Sequence, residues 1–124
     1  MEVYKTKIFA RFARRAGITD ETHCDATARA EKGLIDADLG NGVIKQRLPR
    51  QGKGRSGGYR VIVFYRTSTR TVFVDGFAKS DKGNIDDNDL LLFRELAIEY
   101  LAYLPPQVED LVEEGEWIEV DCDG

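Results

Sequence analysis

Lys53, Arg55 and Arg60 lie in the run Gln51-Gly52-Lys53-Gly54-Arg55-Ser56-Gly57-Gly58-Tyr59-Arg60. Four glycines within residues 51–58 let a ligand come close to the backbone and allow positive φ angles. Successive amides in such a stretch can form a concavity for an anion, and the interleaved cations suit a bent, single-stranded phosphate backbone. The run is not a P-loop, because Gly-x4-Gly-Lys-Ser/Thr is absent and no strand–loop–helix context surrounds it. A flexible hairpin connection kept soluble by its bases has the same composition, so composition alone does not choose between the two.

The charge distribution extends this signal. All eighteen Lys and Arg precede residue 103, together with fourteen of the twenty-two acids, so residues 1–102 carry +4 although the 124-residue chain carries −4. Between Val43 and Lys82 ten bases face only Asp75 and Asp81, an electrostatic footprint suited to a polyanion. From Tyr103 onward there are eight acids and no base. This acidic extension reads as a solvated tail with a small apolar anchor; the sharper alternative is that it shields the basic face and tempers polyanion binding.

Other chemistries find less support. His23 is the single histidine and falls in an alanine-rich helical stretch, where it reads as a surface or partly packed residue. No Ser-His-Asp set can be assembled around it. Asp36-Ala37-Asp38 is a poor calcium loop, since Gly40 and Arg47 occupy later ligand positions, and His23-Cys24 has no zinc-ligand spacing. The Asp86–Asp89 cluster suits helix capping. No metal and no cofactor are therefore expected. Cys24 and Cys122 are far apart and outside any CxxC pair, so free thiols are expected. With no apolar run near the roughly 18 residues of a membrane span and no h-region after Met1, the expectation is a cytoplasmic protein without a membrane role.

The elements that must position these residues follow from periodicity. Lys7–Ala16 places Ile8, Phe9, Phe12, Ala13 and Ala16 on one helical face, with Thr6 to cap its start and Gly17 to end it. A second helix begins after Thr19 and stops near Gly33; its Ala26, Ala28 and Ala30 suggest close packing. After the Asn41-Gly42 turn, Val43–Leu48, Tyr59–Arg66 and Thr71–Phe77 read as an antiparallel meander. A helix capped by Asp86 runs to Pro105-Pro106 with Leu90, Phe93, Ala97, Leu101 and Leu104 at helical spacing. Gln107–Glu114 and Trp117–Val120 offer a short helix and strand, and a short strand precedes the first helix. The division is 1–104 as the domain and 105–124 as the acidic extension. The fold class is α+β, an N-terminal helical hairpin packed on an antiparallel sheet with a C-terminal helix.

Val43-Ile44-Lys45-Gln46-Arg47, the run Gly-Lys-Gly-Arg-Ser-Gly-Gly-Tyr-Arg at 52–60, the strand to Tyr65-Arg66, Gly76-Phe77-Ala78-Lys79 and Asn84-Ile85-Asp86-Asp87 together resemble a RelE/HigB-type toxin over roughly residues 3–104. The resemblance implies a microbial-RNase-like RelE fold and metal-independent mRNA cleavage, usually on the ribosome. It also implies a cognate antitoxin, and operator DNA contacted only through the toxin–antitoxin complex. It assigns catalysis to Lys53, Arg55, Arg60 and Lys79. Around them Lys45, Arg47 and Lys82 are expected to bind RNA, with Phe77 as a stacking surface. Asp75 departs from the aromatic that related toxins often place near there, which bears on the strength of cleavage more than on the fold. The rival readings are a non-catalytic nucleic-acid-binding module, a ParE-like topoisomerase inhibitor, and a degenerate toxin kept as a protein-interaction domain.

Overall fold

The computed structural model describes residues 1–50, 54–78 and 85–122, apart from the side chains at 50 and 54–57. Within them the order is β1 (Glu2–Thr6), α1 (Lys7–Ala16), α2 (Asp20–Glu31), β2 (Ala37–Gly40), β3 (Val43–Arg50), β4 (Gly54–Arg66), β5 (Arg70–Ala78), α3 (Asp87–Ala102), α4 (Pro105–Glu113) and β6 (Trp117–Glu119). The expected caps form. Thr6 Oγ1 accepts from Phe9 N at 3.2 Å, Thr19 Oγ1 from Thr22 N at 3.3 Å and Asp86 Oδ1 from Asn88 N at 2.9 Å. Gly17 closes α1 in the left-handed region at φ 71°, where a Cβ would be strained.

The strands form a sheet in the order β2-β3-β4-β5-β1-β6. Helices α1 and α2 cover one face through Phe9, Ala13, Ala26 and Ala30, against Ile44, Leu48, Val61, Val63 and Phe73. Helices α3 and α4 cover the other through Ala97, Leu101 and Val108, against Val43, Ile62, Phe64 and Val72. The α+β class is as expected, but the sheet is mixed. β1 runs parallel to β5, pairing Glu2–Lys5 with Arg70–Phe73, a connection across most of the chain that no local pattern announces. β2 was also missed: it pairs with β3 through the Asn41-Gly42 turn, where both residues have positive φ, as a tight hairpin requires.

Three further expectations are corrected. The glycine-rich run is mostly strand, since β4 begins at Gly54, whose backbone pairs with Arg50; cross-strand pairing suffices to extend these glycines. The acidic extension is more than a solvated tail. β6 pairs with β1, and Trp117, 2% exposed, packs its ring against Tyr4, Tyr100 and Tyr103. Cys24 and Cys122 form a disulfide with 5.5 Å between their Cα atoms, because β6 returns the chain to α2.

His23 is fully buried instead of lying at the surface. Its ring sits edge-on to Phe9 and Phe73, and Nδ1 lies 2.7 Å from the Thr19 carbonyl. Burial lowers its pKa below the ordinary histidine value, because the apolar surroundings disfavour the imidazolium.

Two outcomes follow. The disulfide closes a separation of 98 residues, so its reduction should cost about 2–4 kcal/mol of stability, read by urea unfolding with and without dithiol reductant. Thiol titration of the unreduced, denatured chain should find none; two thiols there would remove the crosslink. For His23, the neutral form is the one folding favours, so its contribution is complete above the unfolded pKa and is lost as pH falls below it. Between pH 7.5 and 5.5 the protein should lose about 1 kcal/mol more than a His23→Gln variant. Equal losses in paired urea melts would contradict this.

Candidate functional site

Site geometry begins with β4. Its apolar run Val61–Phe64 is at most 1% exposed and fixes the strand between β3 and β5. Arg60, one residue earlier, then stands opposite Arg47 on β3 and opposite Phe77 on β5. The next row contains Lys45, Ile62 and Asp75. Residues directly across a ladder share a face, so Lys45, Arg47, Arg60, Asp75 and Phe77 form one patch on the α3 side of the sheet. At the usual strand spacing the row from Arg47 to Phe77 spans about 10 Å.

Burial separates these groups. Arg47 is exposed and Lys45 half-buried, whereas Arg60 is 6% and Phe77 8% exposed. The expected contacts therefore include two groups largely beneath the surface. Lys53, Lys79 and Lys82 lie outside the described residues, and Arg55 is placed only by its backbone in β4. Of the four expected catalytic residues, Arg60 is the one whose side chain is described.

Arg47 is held by its backbone. Its N–H donates to Asp36 Oδ2 at 2.6 Å and its carbonyl accepts from Arg29 Nη2 at 2.8 Å. Beside it, buried Gln46 donates to the carbonyls of Ala26 and Leu34 at 3.2 Å each and accepts from Asp36 N at 3.0 Å. These bonds satisfy polar groups that would otherwise be costly to bury, and they tie β3 to α2. Asp36 is thus a structural acceptor here. Arg70, part of the basic segment in the sequence, is also structural: 4% exposed, it meets Glu2 at 3.3 Å and donates to the carbonyls of Tyr100 and Tyr103 at 2.9 Å.

A cavity of about 340 Å³ opens at the end of this row, between α1 and the ends of β4 and β5. Phe12, Arg15, Tyr59, Gly76 and Phe77 line it. The Phe12 and Tyr59 rings meet edge-on with centroids 5.5 Å apart. Gly76 is required by the close approach of Phe12: a Cβ there would fall 2.4 Å from the ring. Helical periodicity puts Phe12 in the apolar stripe of α1, and no spacing signal links Phe12 or Arg15 to the strands. A separate apolar cavity of about 490 Å³ lies between α1, α3 and α4, with Ile8, Phe93, Leu96 and Trp117 in its walls; it contains none of the expected site residues.

A mixed sheet covered by helices on both faces, with a cationic row at one end of its central strands, defines a small α+β protein of RelE-like fold. Residues 1–120 match the family model described as the RelE toxin of the RelE/RelB toxin–antitoxin system. The chain belongs to this family: it is a toxin of a toxin–antitoxin pair, with a cognate antitoxin as partner. The match runs through α4 and β6. No curated protein matches the chain. Among the described residues, no helix is long and apolar enough to cross a membrane.

The contact between Gly76 and Phe12 is testable. Gly76→Ala should force the ring to move and cost about 1–3 kcal/mol, measured by urea unfolding. Unchanged stability would mean that the ring is not held there.

Proposed function

We propose that this RelE-family toxin is a metal-independent mRNA endoribonuclease that acts on the ribosome and needs no cofactor. The observation that carries the reading is the juxtaposition of Arg47 and Arg60 across the β3–β4 ladder. Guanidinium groups hold phosphate oxygens through charge-assisted hydrogen bonds, and this pair brings two of them to one face of the sheet. Lys45 on the same face extends the positive field along the strand.

Cleavage then uses the RNA's own 2′-hydroxyl. The 2′-oxygen bonds to the adjacent phosphorus, the phosphorus–5′-oxygen bond breaks, and the products are a 2′,3′-cyclic phosphate and a free 5′-hydroxyl. Arginine stays protonated and cannot serve as the base. Lysine can, where neighbouring positive charge lowers its pKa. In this scheme Lys53 or Lys79 takes the 2′-proton, while Arg55 and Arg60 hold the phosphate and offset charge on the phosphorane. A proton returned to the 5′-oxygen completes the step. If all four cations only bind, alignment of the 2′-oxygen with the phosphate must supply the acceleration. Lys82 contributes to RNA binding, the protein works in the cytoplasm, and operator DNA is reached through the antitoxin complex.

Arg60→Ala should reduce cleavage about 100-fold or more, read by inducible expression with growth curves and mapped mRNA ends. Because Arg60 is largely buried, its thermal unfolding is measured in parallel and the exposed Arg47→Ala is tested beside it, with a loss of about tenfold expected. Full toxicity in a folded Arg60→Ala protein, or in Arg47→Ala, would exclude this phosphate site.

A further inference from the structure

We propose that the cavity between α1 and the ends of β4 and β5 is a nucleobase subsite, seating the base beside the phosphate held at the Arg47–Arg60 row. The inference rests on the RNA reading above and adds where a base is bound and by which residues.

The cavity adjoins the phosphate row. Phe77 is the cross-strand partner of Arg60 and also lines the cavity; Tyr59 precedes Arg60 and lines it too. Consecutive strand residues leave opposite faces, so Arg60 and Tyr59 serve the two sides of the same strand. β1 pairs with β5 only over Arg70–Phe73, so it does not cover Val74–Ala78. A single RNA strand crossing that edge leaves a phosphate on the α3 side and the neighbouring base on the α1 side.

The lining has the right chemistry for a base. Phe12 and Tyr59 supply aromatic surface, and Arg15, an exposed side chain of α1, supplies a planar cation. Unstacked bases are recognised by stacking on aromatic rings and on guanidinium planes, and every base offers a π-face. About 340 Å³ is within the range of small-ligand pockets. A fully apolar ligand would leave Arg15 without use, and a bare anion would leave the aromatic surface without use; a base attached to a phosphate chain engages both. Gly76 preserves the arrangement, because a side chain there would collide with Phe12.

The test uses a single-stranded RNA decamer and a series in which one nucleotide at a time is abasic. Fluorescence anisotropy at low salt measures binding to the free protein and, separately, on ribosomes programmed with each RNA. Wild type is compared with Arg15→Ala, Tyr59→Leu and Arg47→Ala. One abasic position should weaken wild-type binding about tenfold. That penalty should shrink in Arg15→Ala and vanish in Tyr59→Leu. Arg47→Ala should weaken every RNA and keep the penalty. Intact RNA binding with no position-specific penalty, or a penalty undiminished in both Arg15→Ala and Tyr59→Leu, overturns the subsite and leaves the RNA reading standing. No binding of intact RNA in either format overturns both.

Discussion

β4 can hold its candidate site in only one register. Its run Val61–Phe64 is sealed between two helical layers, with alternate side chains entering opposite cores. A slip of one residue would drive each of these side chains into the wrong layer. Burying one such side chain is worth about 1.5–3 kcal/mol, so the correct register is strongly selected. That register puts Arg60 opposite Arg47 and Phe77, and the cationic row is therefore a consequence of core packing.

The same economy governs the supports of the row. Asp36 and Arg29 satisfy the Arg47 backbone on the side of β3 away from β4, where β2 stops, and the Gln46 side chain does the same for Ala26, Leu34 and Asp36. Arg70 does the equivalent at the other end of β5, joining Glu2 to the last carbonyls of α3. Cations that look alike in the sequence thus take their role from position. Those facing helix ends and neighbouring carboxylates, such as Arg29 and Arg70, hold the fold.

The chain ends meet on one side of the molecule. β1 receives β5 on one edge and β6 on the other, and the disulfide joins Cys122, three residues beyond that last strand, to α2. Through β6 the acidic extension is consequently part of the sheet, with its anchor in the Trp117 ring cluster. Its eight carboxylates lower the net charge of the protein.

The sequence by itself determined the helices, their caps, the β3–β4–β5 meander and the two faces of β3, because these depend on periodicity and local hydrogen bonding. It also determined that a cationic, glycine-rich stretch lies beside an apolar strand. Only the tertiary structure decided that β1 lies parallel to β5, that His23 is interior, that Cys24 meets Cys122, and that Phe12 and Arg15 border the end of β5. Each of these joins residues distant in sequence, or depends on how a helix is rotated over the sheet. Such contacts are set by the packing of whole elements, and neighbouring residues carry no record of them.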